Sequence, residues 1–335
     1  MKAIRINNLN SQAKLEFINI EEPNVINKND IKVRVYATSL NYHDLGVVSG
    51  HMPTQNGRIP MADCSGIVED VGSDVTEFKV GDHVISTFFP TWLNGSPEVG
   101  DFSTVPGDGI DGFAQEVVVK PASSFTLAPK NYSHIQAATL TTAGLTAWRA
   151  LVINGQIKKG ETVLVLGTGG VSLFALQIAK ELGANVIATS SSEAKIARLK
   201  ELGADHVINY RETPLWGNRV LELTDGKGVD HVVEVGGANT FEQSTVACKV
   251  GGHIALIGVL SGVQAPINTA NIVIKQQHIQ GLVVGNREQQ NQFVNALENY
   301  SFYPIISNIF KFEDLEKAFE FQKNGEHFGK ICVEY

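Results

Sequence analysis

The chain has 335 residues, 43% of them hydrophobic and 19% charged, with a formal net charge of −8. That length suggests two domains at roughly 150 residues each, and the acidic balance argues against a nucleic-acid partner, which needs a basic surface. No apolar run reaches the ~18–20 residues of a membrane span, and the opening Met1-Lys2-Ala3-Ile4-Arg5-Ile6 lacks the apolar core of a signal peptide, so a protein with no membrane partner and a cytoplasmic location is the expectation.

Three cysteines, Cys64, Cys248 and Cys332, lie far apart. They have neither the close spacing of a zinc or redox motif nor the even number of a disulfide framework, and read as buried thiols. Up to about residue 125, short alternating strands such as Ile31–Ala37 are broken by turns at Val71–Val75 and Lys79–Val84. This stretch reads as a β-rich module. Within it, Phe88–Gly112 is long for a loop of a compact domain. It is either a surface excursion or a cover for a substrate mouth.

A different rhythm begins near residue 160. Apolar runs of strand length fall at Thr162–Leu166, Val186–Thr189, His206–Ile208, His231–Val235, His253–Ile257 and Ile279–Val284, the earlier ones separated by helical patterns. Apolar strands alternating with helices predict a parallel sheet covered on both faces. The fold class is therefore α/β, with a doubly wound Rossmann domain over 126–286 and a β-rich domain over 1–125. An amphipathic stretch and the closing strand Lys330-Ile331-Cys332-Val333 return 287–335 to the first domain.

Strand Thr162–Leu166 runs into Gly167-Thr168-Gly169-Gly170-Val171-Ser172 and then into a helix, the context that makes a glycine-rich turn a dinucleotide site. Gly167 permits the turn and Gly169 lets backbone approach a pyrophosphate. Ser172 stands where a small residue packs helix on strand. Gly170 and Val171 open the helix, whose free N–H groups suit phosphate. At the end of the second strand an NAD-specific site carries an acid. This chain has Ser190, Ser191, Ser192 and Lys195, which suit a 2′-phosphate and so NADP(H). Serines there also cap helices, and Glu193 counts against a phosphate. Tyr210 is placed to flank the adenosine.

Several segments together resemble the medium-chain dehydrogenase/reductase superfamily. They are Ser39–Asp44, Val80–Val84, Gly144–Trp148, the glycine turn, Leu202–Tyr210 and His327–Lys330. The resemblance implies a GroES-like catalytic domain completed by the C-terminal segment, a Rossmann domain, and a cleft between them for nicotinamide and substrate. It also implies a homodimer formed through the last Rossmann strand. Thr146 is expected beneath the nicotinamide, with Gly258, Val259, Val283, Val284 and Gly285 near its carboxamide.

Zinc-dependent members take a cysteine where this chain has Asn41, and a Gly-His-Glu motif where it has Met61-Ala62-Asp63. The structural-zinc lobe within residues 88–112 has no cysteine. No metal is therefore expected, and Asp63 reads as a relic of the fold. Asparagine at position 41 is similar to the zinc-free, quinone oxidoreductase-like branch. Without zinc to lower an alcohol's pKa, reduction of an electron-poor acceptor is the easier chemistry. The expected activity is NADPH-dependent reduction of a quinone or an activated α,β-unsaturated carbonyl. Asn41 would donate from its amide, and Tyr42 would donate a proton or simply wall the cleft. An alcohol or aldehyde oxidoreductase, and a nucleotide-binding structural or sensing protein with little turnover, are the alternatives.

Overall fold

The computed structural model describes residues 1–7, 14–24 and 26–335. They divide into two compact units, Met1–Leu145 with Val284–Tyr335, and Thr146–Val283.

In the first unit, strand Asp30–Ser39 is the hub. It pairs antiparallel with Ser65–Val71, Val117–Pro121 and Lys330–Glu334. Ile31, Val33 and Val35 point to one face with alternate spacing and pack against Val68, Phe113 and Phe125, the burial that a period-two strand predicts. Strand Lys330–Glu334, with Ile306–Lys311 parallel to it, completes this sheet from the far end of the chain. The unit runs past the expected boundary at residue 125, to Leu145. Two contacts bind the extra segment to its sheet: Phe125–Leu127 pairs with His83–Ser86, and the Thr141 hydroxyl donates to the Ser86 carbonyl at 2.8 Å.

Residues 88–112 carry no regular strand or helix, yet their start is buried: Phe88, Phe89 and Trp92 are each under 5% exposed. The Trp92 and Leu93 carbonyls accept the backbone N–H groups of Arg287 and Glu288 at 3.1 and 2.9 Å. The aromatic start of the insert is thus an anchor within its own unit, and the stretch 93–104 after it is largely exposed.

The second unit is a six-stranded parallel sheet. Its spatial order is His206–Asn209, Asn185–Ser190, Thr162–Leu166, Val229–Glu234, Cys248–Leu256, His278–Gly281. Order reverses beside Thr162–Leu166, which gives the switch point of a doubly wound domain. Val163, Leu164 and Val165 are fully buried, as a strand covered on both faces requires. The last strand stops at Gly281, short of the expected Val284. Val284 takes φ +46, left-handed backbone that is costly for a β-branched residue and cannot continue a strand.

Candidate active site

The expected cofactor-binding residues lie mainly in the second unit and the expected catalytic residues in the first. In the second, Gly167 follows its strand at φ +75, a conformation glycine adopts without the Cβ penalty. Its N–H donates to the Thr189 carbonyl and hydroxyl at 3.1 and 3.2 Å, which pins the turn to the neighbouring strand. Helix Gly170–Glu181 starts from N-cap Gly169 with no side-chain cap. A Cβ at Gly167 or Gly169 would meet nothing within 4 Å. The helix therefore presents backbone N–H groups and its positive end to open space, the cradle a pyrophosphate fits. Ser172, 1% exposed, donates to the Leu166 carbonyl at 2.7 Å and locks the helix to the strand.

At the end of the second strand, Ser190 is buried and its hydroxyl accepts the Ser192 N–H at 3.3 Å. Ser192 caps helix Glu193–Glu201 by accepting the Lys195 N–H. The Glu193 carboxylate accepts from Asn209 Nδ2 at 2.9 Å, held toward the third strand. The Tyr210 N–H donates to the Ser190 carbonyl at 3.1 Å, so the half-exposed tyrosine stands beside the serines. Ser190, Ser191, Lys195 and Tyr210 thus gather around the ends of two adjacent strands.

Gly258 and the exposed Val259 follow the fifth strand, and the Gly258 N–H donates to the Glu234 carbonyl at 3.2 Å. Glu234, fully buried, is a residue that sequence reasoning missed. Its carboxylate accepts from the N–H groups of Gly236 and Gly237 and from the hydroxyls of Thr240 and Ser244, which fixes the loop after the fourth strand. An acid inside the otherwise apolar run His231–Val235 was the available signal. Thr146, 2% exposed, opens the unit, and Val283 closes it, its carbonyl accepting from Arg149 Nη1 at 3.2 Å. Val284 and Gly285 belong to the first unit. A cavity of about 840 Å³ in the second unit lies elsewhere, lined by Glu161, Asp230, His231, His253 and Gln277. Glu161 precedes the strand that Gly167 follows, so this cavity sits at the strand starts.

In the first unit, Asn41 and Tyr42 stand at the start of helix Tyr42–Val48. Asn41 is buried with its amide fully engaged. Nδ2 donates to Asp44 Oδ2 at 3.1 Å and Asp63 Oδ2 at 2.9 Å, while Oδ1 accepts from Lys330 Nζ at 2.5 Å. Its expected free donor is spent inside the protein. Tyr42 is 47% exposed, and partial burial raises its phenol above the ordinary value, so it stays protonated at neutral pH.

Asp63, with no exposure, is the centre of this cluster rather than a relic. It accepts from Ser39 Oγ at 2.8 Å, Asn41 Nδ2 and Thr142 Oγ1 at 2.5 Å. Thr142 comes from the π-helical turn Leu140–Gly144. Burial drives the carboxyls of Asp44 and Asp63 upward. Met61, just before, is buried at φ +80, where zinc-dependent members have glycine. Gly107 and Gly112 lie so close that a Cβ on either would come within 2.6 Å of Met61 backbone atoms, which holds the strained turn in place.

Zinc takes thiolate, imidazole or carboxylate. This cluster offers an amide, two hydroxyls, two carboxylates already holding donors, and an ammonium in their midst. Among the described residues, no group of three or more His, Cys, Asp and Glu is arranged to hold a metal. The residues present do not fit zinc.

Comparison with known proteins agrees with this architecture. A model described as an alcohol dehydrogenase GroES-like domain matches residues 27–130, and one described as a zinc-binding dehydrogenase matches 170–301. A zinc-type alcohol dehydrogenase-like protein of Schizosaccharomyces pombe is 40% identical over 323 residues, 93% of each chain. A solved Sinorhizobium meliloti 1021 protein, assigned as an alcohol dehydrogenase, superposes with a TM-score of 0.94 at 38% identity, covering 100% of this chain and 98% of its own. More distant are an acryloyl-coenzyme A reductase of Sulfurisphaera tokodaii (27% identical, 99% of both chains) and a Pseudomonas syringae pv. tomato DC3000 quinone oxidoreductase (TM-score 0.81, 28% identical, 99% and 100% covered). With both halves matched by family models and a 40% identical relative spanning nearly its whole length, the chain belongs to the medium-chain dehydrogenase/reductase superfamily and is an oxidoreductase.

Proposed function

We propose that this oxidoreductase is zinc-independent and uses NADP(H) to reduce a quinone or an activated α,β-unsaturated carbonyl. The observation that carries the reading is the donor set around Asp63, an amide, hydroxyls and an ammonium among two engaged carboxylates, which does not suit a metal that would lower the pKa of an alcohol. An electron-poor acceptor needs no such activation. Hydride added at carbon leaves charge on oxygen, which a hydrogen bond and a proton satisfy. The quinone oxidoreductase and the acryloyl-coenzyme A reductase among the similar proteins act, by name, on these two acceptor classes.

The nicotinamide, when bound, supplies the hydride. Gly167, Gly169, Gly170 and Val171 hold the pyrophosphate, Ser190, Ser191 and Lys195 take the 2′-phosphate, and Tyr210 flanks the adenosine. Thr146, Gly258, Val259, Val283, Val284 and Gly285 keep the nicotinamide-side roles that the family resemblance gives them. Tyr42 donates the proton, and Asn41 positions it by anchoring the start of its helix. Exposed Val273 and Ile274, together with the unpaired edge of strand His278–Gly281, favour a homodimer. A monomeric mass by sedimentation at micromolar concentration contradicts it.

The test is a panel of quinones, enones, aldehydes and alcohols, followed by NADPH absorbance on dialysed, metal-analysed protein. Turnover of quinones or enones that a chelator leaves unchanged is the expected result. The second reading, an alcohol or aldehyde oxidoreductase, is favoured by the S. pombe relative's name. Turnover confined to alcohols and aldehydes, lost on chelation, establishes it instead.

A further inference from the structure

The cluster around Asn41 has a cation, and it comes from the far end of the chain. Lys330 opens the last strand and is 3% exposed. Its Nζ donates to the Leu40 carbonyl at 2.7 Å and Asn41 Oδ1 at 2.5 Å, and lies 3.8 Å from Asp63 Oδ2. On the other side of the same amide, Asp44 accepts the Asn41 N–H at 2.9 Å, Asn41 Nδ2 at 3.1 Å and the Ala62 N–H at 2.9 Å. Two buried carboxylates therefore share one amide, and a single ammonium faces them.

Such a pair of carboxylates is very costly without a counter-charge. A metal ion would supply one in a zinc-dependent site, but here it would have to displace Lys330 from the same oxygens. We propose that the Lys330 ammonium is the resident cation of this corner, a positioning residue that balances Asp44 and Asp63 and fixes Asn41 in the place of a metal. The inference does not depend on which acceptor the enzyme reduces. It also gives the last strand a polar reason to dock, since Lys330 and Asn41 are 289 residues apart.

Other titratable groups near the cluster do not supply the charge. His43 lies 3.3 Å from Asp108 and is held below its ordinary value by burial, and Asp108 is raised by burial. The Cys64 and Cys332 thiols are pushed up by burial, that of Cys332 to about 12. None carries positive charge at neutral pH.

The experiment compares Lys330→Met, Lys330→Arg, Asp63→Asn and the double variant Lys330→Met/Asp63→Asn with the parent in thermal melts at pH 8 and pH 5.5, with zinc measured on each. Losing the cation raises the folded-state pKa of the carboxyls further. The folded state then holds more protons than the unfolded one, and stability falls as pH rises. Lys330→Met should melt about 10 °C lower at pH 8, with less than half that gap at pH 5.5. Adding Asp63→Asn should recover most of the loss, Lys330→Arg should keep most of the stability, and no protein should retain zinc. If Lys330→Met does not fold, a folded double variant supports the proposal and an unfolded one overturns it. A gap equal at both pH values, with Asp63→Asn adding a loss of its own, means Lys330 only packs and overturns it. One zinc per chain in the parent, lost in Asp63→Asn, overturns it as well.

Discussion

The Asn41 corner of the first unit and the Gly167–Gly170 turn of the second are both backbone turns leading into helices, but their donors go to opposite ends. At the corner, the Asn41 N–H donates to Asp44, and the side chain is consumed by Asp44, Asp63 and Lys330. At the glycine turn, the helix begins without a side-chain cap and with open space beside its glycines. A site that satisfies its own polar groups becomes rigid and dry. A site that leaves N–H groups exposed is built for an anionic ligand. The lesson concerns Asn41: residue type and position suggested a group offered to substrate, while its partners tie it to the start of helix Tyr42–Val48.

The contrast can be broken most severely at Tyr42, the exposed neighbour of the closed corner. Tyr42→Phe should lower acceptor turnover about 100-fold, the scale of a lost proton donor, and leave cofactor affinity intact. A steady-state comparison with a fluorescence titration separates the two, and unchanged turnover makes Tyr42 a wall. At the open turn, Gly169→Asp supplies the missing helix cap, so the melting temperature should hold or rise. The new carboxylate would meet the pyrophosphate, and binding of both NADPH and NADH should weaken roughly 100-fold. Equal loss of stability and binding would mean that the turn is not a phosphate cradle.

Finer discrimination lies at the serines. Lys195→Ala should weaken NADPH by about ten- to a hundred-fold, from a contact of about 1.5–3 kcal/mol, and leave NADH nearly unchanged. Ser190→Asp should invert the preference. Equal parent affinity for the two cofactors shows that the serines serve only the backbone.

The smallest effect is acid sensitivity in each unit's histidines. His83, 2.6 Å from Ser65 Oγ and 4.3 Å centroid to centroid from His134, is lowered to about 4 by burial and by that ring. His253 is lowered to about 4 by burial, His231 and His278, its partners in register on adjacent strands. Below pH 6.5 the unfolded chain binds more protons at both, so stability should fall as pH drops from about 6.5 to about 4. Both residues are intermediate in exposure, which keeps the loss modest. Melts across that range test it, and a flat profile sinks it.

Local patterns carried a large share of the fold. Thr162–Leu166, the glycine turn and Ser172 lie within a dozen residues, where spacing alone specifies strand, turn and helix, and the structure puts each where that spacing predicts. The serine run after the second strand was equally visible, and so was the capping role that Ser192 fills. Tertiary structure alone decided which donors were spent. Asn41, Asp63, Thr142 and Lys330 meet only because the last strand pairs with Asp30–Ser39 and a π-helical turn reaches the same corner. The last Rossmann strand ended early because its partner Cys248–Leu256 ends opposite Gly281, a register that an apolar run does not advertise. By itself the sequence determined the two-unit plan and the dinucleotide turn, since both follow from period and short spacing. Only the fold assembled the ammonium–carboxylate cluster, because pairing across 289 residues depends on sheet register rather than on any local preference.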